Sequence, residues 1–220
     1  MKANVHGAAI ELEPNSKPYL LKRFLADGSD IFLIFCLFLL FTMLITRMPV
    51  AKTYREHFDR YKAIEQETLS QFGNDAEAAA KALSENEEYQ NERFAANLHG
   101  YLLKAAACFL AELLVLVIVP LGNKGRATPG KMLTGVLPFN ERRQSVITKS
   151  QIAYRFVYVL LIDSLALYLL TGILTFLLVP VLRLTEMLSN KKNKTICDMV
   201  TGVMMIERLS YDGITRLDDK

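Results

Sequence analysis

Tryptophan is absent from these 220 residues, and histidine occurs only three times, as His6, His57 and His99. Any aromatic and basic belt at a membrane surface must therefore come from Tyr, Lys and Arg. None of the histidines falls in an apolar block, and there is no HExxH, GxSxG or phosphate-loop pattern. The Gly130-Lys131 turn has one glycine and no Ser or Thr after the lysine, a poor phosphate cradle. An enzyme is the least favoured class, and no cofactor is expected. Cysteine is scarce: Cys36, Cys108 and Cys197 show neither CxxC nor zinc spacing. They read as small apolar packing residues, and no metal site is expected.

What the chain has is apolar residues, 51% of the total, gathered into blocks. That clustering marks a membrane protein rather than a soluble core. The expected class is an all-α membrane protein. It is a small transmembrane bundle of about four spans with an extramembrane helical hairpin and a small cytoplasmic β element. Residues 1–23 form the amino-terminal segment and 24–46 the first span. Residues 47–100 form a helical hairpin insertion and 101–121 the second span. Residues 122–151 make a basic loop, 152–170 a third span, 172–189 a fourth span or re-entrant piece, and 190–220 a tail. Pro120 and Gly122 end the second span, and Gly172 and Pro180 interrupt the third apolar block. One long kinked helix is the alternative for 152–189.

Charge sets the expected orientation. Residues 122–151 carry six basic side chains and one acidic, whereas 51–100 carry ten acidic and six basic. Loops rich in Lys and Arg stay cytoplasmic. Both termini and the 122–151 loop are thus expected in the cytoplasm of a multi-pass cell-membrane protein, with the acidic hairpin outside. Arg47, Lys52 and Arg55 run mildly against this.

Within the hairpin, Tyr54, Phe58 and Tyr61 recur at helical spacing. Phe72-Gly73-Asn74-Asp75 is a stop and restart. Ser84 to Glu87 reads as a capping box. In the second half, Lys131-Met-Leu-Thr-Gly-Val136 resembles Asp198-Met-Val-Thr-Gly-Val203. Met132 to Phe139, Met199 to Ile206 and Val146 to Thr148 read as short strands, with a turn at Asn140 to Arg142.

Three carboxylates lie inside apolar stretches: Asp30, Glu112 and Asp163. Charge at bilayer depth is costly, and such groups pair, face the bundle interior or line an ion route. Arg23, Asp27 and Asp30 fall within about 60° of one another on one helical stripe. Asp30 lies about 10 Å deeper than Arg23. All three acids can approach a similar depth, with Arg155, Lys104 or Arg23 as partners. Two carboxylates brought together would share a proton. Arg183 and Glu186 are spaced for an i, i+3 pair.

These residues resemble the RDD family of membrane proteins, named for one Arg and two Asp. Arg23, Ala26 and Asp30 match its opening pattern. Thr128, Pro129, Gly130, Lys131 and Gly135 match a second element, Arg155 opens the next span, and Asp198 matches the second Asp. Cys197 stands where the family has His, and the Thr201-Gly202 tail departs from its usual continuation. The resemblance covers all but the 51–100 insertion. It implies a small polytopic bundle, with some relatives described as cation/proton antiporters and others as accessory subunits.

Two functions are expected, the first ahead of the second. One is cation- or proton-coupled transport through a buried carboxylate cluster, because three intramembrane acids exceed what a scaffold needs. The other is a non-catalytic scaffold or accessory subunit whose buried charges lock the bundle. Expected partners are bilayer lipid, a second copy of the chain or another membrane protein, and a monovalent cation or proton. Nucleic acid is not expected, since the basic stretches flank membrane.

Overall fold

The computed structural model describes residues 2–5, 8–11, 17–73, 75–143, 145–166, 170, 172–189 and 193–207. It divides into two compact units, one of Met1–Cys36 with Phe109–Lys220 and one of Leu37–Cys108.

In the first unit, α1 (Lys17–Arg47) begins the bundle. Before it stands an antiparallel hairpin of β1 (Lys2–Val5) and β2 (Ala8–Glu11), which the sequence reading leaves unassigned. The second apolar block belongs to α4 (Glu87–Leu113). It runs into a π-helical stretch, Leu114–Ile118, and then into α5 (Val119–Gly122). Pro120 cannot donate to the preceding turn, and the wider register just before it accommodates that loss. The Asn123 side chain closes the following loop, donating to Val119 O and Ala127 O and accepting from Ala127 N.

Helix α7 (Lys149–Tyr158) opens on a full capping box from Thr148 and Gln151 and continues as a π-helix, Val159–Ala166. Replacing Thr148 with Ala should cost about 1 kcal/mol. An unchanged thermal midpoint in detergent would show the cap to be inert. Gly172 has a φ of 59°, and a 3₁₀ turn, Gly172–Leu174, leads into α8 (Thr175–Ser189). Residues 167–169 and 171, before the expected interruption at Gly172, lie outside the described residues, as do Lys191 and Lys192 and the tail beyond Glu207.

The small sheet is three-stranded, in the order β4 (Ser145–Val146), β3 (Val136–Asn140), β5 (Val203–Glu207), all antiparallel. Two expected strands are corrected here. Met132 to Gly135 and Met199 to Gly202 are not extended; they belong to α6 (Pro129–Thr134) and α9 (Ile196–Thr201) and their caps. Thr128 and Thr195 occupy the N-cap positions, and Pro129 suits the first helical turn. Gly135 and Gly202 then end both helices at φ 70° and 63°, where a Cβ would be strained. Only after these glycines can each chain become a strand. The third strand also begins one residue earlier than expected and does not reach Thr148.

The two similar segments therefore share one structure: Thr cap, short helix, left-handed Gly, strand. Thr128 corresponds to Thr195, Lys131 to Asp198, Gly135 to Gly202 and Val136 to Val203. Their strands pair with each other, and Pro138 faces its own counterpart Met205 at the centre of the ladder. The two halves are thus related by a local two-fold. Beneath the sheet, Tyr19, Val136, Ile147, Ile152, Val203 and Met205 form a buried core, and Tyr19 Oη donates to Met205 O. Gln151 joins α7 to the sheet, donating to Thr201 O at 2.9 Å and accepting from Asn140 Nδ2 at 3.0 Å.

The second unit contains α2 (Lys52–Phe72) and α3 (Ala76–Glu85), with the adjoining parts of α1 and α4. A 3₁₀ turn, Pro49–Ala51, separates α1 from α2. Arg55 Nη1 donates to Thr46 O at 2.5 Å and Met48 O at 3.0 Å, satisfying carbonyls at the end of α1. Helix α2 stops at Gly73, and Asp75 restarts the chain by accepting from Ala78 N. The expected Ser84 cap is corrected. Asn86 accepts from Tyr89 N at the start of α4, while Ser84 Oγ donates back to Lys81 O. Phe58 packs against Tyr54 and Tyr61, and Tyr61 against Tyr89. The insertion thus runs through α2, α3 and the first part of α4, with breaks at Gly73 and at Asn86, the second within the Ser84 to Glu87 stretch where a new helix is expected to open.

Candidate functional site: a charge clamp on the first helix

Helix α1 presents Arg23, Ala26, Asp27 and Asp30 on one stripe, and this stripe meets both related segments. The first segment brings a cation to the two acids. Lys131 Nζ lies 3.0 Å from Asp27 Oδ1 and 3.1 Å from Asp30 Oδ2. Asp30 also accepts from Gly130 N at 2.7 Å and from Thr128 Oγ1. A carboxylate holding a hydroxyl, an amide and an ammonium has little hydrogen-bonding capacity left over.

Gly130 makes this approach feasible. A Cβ there would come within 3.0 Å of the Asp30 carboxyl carbon and closer still to Ala26 O. Ala26 is itself fully buried. Small residues on both sides let the backbone of α6 come up against α1.

The second segment does the reverse and brings an acid to α1. Asp198 Oδ2 lies 2.5 Å from Arg23 Nη2, and its Oδ1 lies 2.5 Å from Arg155 Nη1 on α7. Arg23 also donates to Asn193 O, and Thr195 N to Asp198 Oδ2 at 3.2 Å. Lys131 and Asp198 occupy equivalent places in the two segments, with opposite charge. The α1 stripe matches them, acids facing Lys131 and the arginine facing Asp198. The side chains of Asp30 and Asp198 are 5% and 1% exposed, so neither pair is a solvated surface contact whose contribution would be small.

Burial alone would push the Asp198 carboxyl up, but Arg155 and Arg23 outweigh it and hold the group far below the ordinary aspartate value. Burial would lower Lys131, yet Asp27 and Asp30 raise it. A depressed acid contributes stability above its unfolded value, lost as pH falls below about 3.9; a raised lysine contributes below about 10.4, lost as pH rises past it. Stability carried by these two groups should therefore be flat between those limits. Acid unfolding of Asp198→Asn should show a shallower pH dependence than the parent protein, and equal slopes would contradict the assignment.

The other two acids bond to partners other than the expected ones, and Arg183, which holds Asp163, is also within electrostatic reach of Asp27. Asp163, in the π-helical stretch after α7, pairs with Arg183 of α8. Glu112 of α4 accepts from Ser164 Oγ. Asp30, Glu112 and Asp163 thus each bond to a cation or hydroxyl from a neighbouring element. Arg23 and Arg155 serve Asp198 rather than these three acids, and Lys104 is exposed. The expected Arg183–Glu186 contact is also corrected. Arg183 turns to Asp163, and Glu186 accepts from Ile196 N at 3.0 Å at the start of α9.

Sequence reasoning missed Lys131 as the counter-ion of Asp27 and Asp30, Arg183 as that of Asp163, and Ser164. The signal for Lys131 was present. Two similar segments carrying Lys and Asp at one equivalent place fit a helix carrying two acids and an arginine on one stripe. Cys36 is exposed, Cys108 half-buried and Cys197 buried. Among the described residues no group of His, Cys, Asp and Glu could hold a metal.

Among the described residues, three helices are long and apolar enough to cross a membrane: Tyr19–Arg47, Glu87–Gly122 and Gly172–Ser189. Together with the small sheet and the buried charge pairs, they define a helical membrane protein with an internal ionic clamp. The chain belongs to the RDD family, whose model matches residues 17–202. No curated protein and no solved structure matches it.

Proposed function

We propose that this chain is a non-catalytic membrane scaffold or accessory subunit whose buried charges hold the first helix to the paired segments. The observation that carries this reading is the matching of Asp27, Asp30, Asp163 and Asp198 to cations from other elements. A carboxylate bonded to a buried cation is tied to its counter-ion, and freeing it to serve a transported ion would strand that cation without a partner. In this reading α7 with its π-helical continuation makes a fourth crossing, and both termini are cytoplasmic in the cell membrane. A second copy of the chain or another membrane protein is the partner. Asp30→Asn should lower folded yield and thermal stability while leaving proton and sodium flux in reconstituted vesicles at the background of the parent protein. Parent flux well above empty vesicles, abolished by Asp30→Asn at full yield, would sink the scaffold reading.

One observation favours cation- or proton-coupled transport as a second reading. Glu112 is 2% exposed, lies beside the Leu114–Ile118 π-helical stretch, and is bonded to Ser164 within the other one. π-helical stretches inside α-helices concentrate at functional sites, and an intramembrane acid facing a hydroxyl can exchange a proton. Under this reading Glu112→Gln removes flux and Asp30→Asn acts only through folding.

A further inference from the structure

A groove of about 1010 Å³ runs beside α7 and its π-helical continuation, closed on one side by the end of α9. Its lining changes from one end to the other. Arg142, Arg143 and Lys149 stand at the α7 start, all exposed. Tyr154 follows one turn further on. Leu161 and Ile162 line the far end and Val200 the α9 side, at 49%, 48% and 72% exposure. None of the described lining residues is acidic. Glu141, the acid next to the arginines in sequence, is held by Lys194 at 2.6 Å.

We propose that this groove binds one anionic phospholipid, its phosphate held by Arg142, Arg143 and Lys149 and an acyl chain laid along Leu161, Ile162 and Val200. The charge is complementary, three cations with no acid among the described lining residues. The dimensions agree as well. From Lys149 to Ile162 the helix rises about 20 Å, close to half the thickness of a bilayer with its headgroups, about 40–45 Å in all. The order cation, tyrosine, aliphatic is the order of environments met from headgroup to hydrocarbon. A soluble phosphate compound would use only the basic end and leave the exposed aliphatic wall uncovered. Basic pockets between membrane helices bind anionic headgroups on these grounds. The site is separate from the ionic clamp and holds under either reading of function.

The test uses the full chain in mixed micelles containing equal phosphatidylglycerol and phosphatidylcholine, with retained lipid identified by native mass spectrometry. The parent protein should retain phosphatidylglycerol preferentially. The triple variant Arg142→Gln, Arg143→Gln, Lys149→Gln should lose that preference by more than about tenfold, each cation near the surface being worth about fivefold. The pair Arg142→Lys, Arg143→Lys should keep most of it, which separates charge from misfolding. Equal retention of both lipids by the parent, or an undiminished preference in the triple variant, would overturn the proposal. So would displacement of the bound lipid by glycerol phosphate at matched concentration, which would assign the basic end to a soluble anion.

Discussion

Replacing Asp198 with Asn should destabilise the protein by about 3–5 kcal/mol, the penalty for leaving a buried charge without its counter-ion. The cause is specific. Arg23 and Arg155 approach the same carboxylate from two helices, each at 2.5 Å. An amide of the same shape would leave two guanidiniums facing each other across a buried contact. The effect can be checked by reversible unfolding in mixed micelles, with Asp198→Asn compared to Asp198→Asn/Arg155→Met. Removing one of the stranded cations should recover part of the loss. A double variant as unstable as the sum of its singles would mean that Arg155 and Asp198 are not coupled.

Gly130→Ala should be nearly as damaging, at about 3 kcal/mol, although the side chain gained is a single methyl. Overpacking a tight contact costs about 1–3 kcal/mol, and the displaced backbone would also lose the bond from Gly130 N to Asp30, worth about 1.5–3 kcal/mol to a charged acceptor. The methyl would have to occupy space held by Ala26 O and the Asp30 carboxyl. Backbone and a clamped acid cannot swing aside as the tip of a flexible side chain could. Gly135→Ala is the instructive comparison. No atom lies within 4 Å of a Cβ there, and its cost arises only from the left-handed conformation, about 1 kcal/mol. If the two substitutions proved equally mild in thermal unfolding, the close approach of α6 to α1 would be wrong.

These predictions rest on residues whose types were readable in the sequence but whose partners were only partly so. The Arg23, Asp27, Asp30 stripe follows from helical periodicity alone, because the three positions share a face. The similarity between the Lys131 and Asp198 segments was equally visible. What spacing could not give was their local geometry. Apolar runs beginning at Met132 and Met199 look like strands, and only the Thr caps and the following glycines reveal that each starts as a helix. Gly135 and Gly202 carry that information, since the helix-to-strand change falls at both. Pairing over a long range was harder still. Depth along separate spans placed Asp30, Glu112 and Asp163 at similar levels, but depth does not fix rotation. Rotation turns Asp163 toward Arg183 and Glu112 toward Ser164. The π-helical stretches shift the faces of the helices that carry or adjoin these residues, and a regular 100° wheel cannot anticipate such a shift.

The local two-fold gives the clamp a simple logic. One segment repeated with inverted charge would meet an all-acidic helix with attraction at one contact and repulsion at the other. The α1 stripe avoids this by changing sign between Arg23 and Asp27. Each segment then docks against its own complement, and swapping the two would place Lys131 on Arg23 and Asp198 on Asp30. The sign change thus specifies which segment sits where, as well as holding it there.

The most direct measurement is a double-mutant cycle joining Asp30 on α1 to Lys131 on α6, using Asp30→Asn, Lys131→Met and the double variant in the same unfolding assay. A fixed ion pair predicts that the double variant is less destabilised than the two singles added together, by about 1–3 kcal/mol. Additivity within about 0.5 kcal/mol would mean that these side chains do not act on each other, and the ionic clamp would lose its basis.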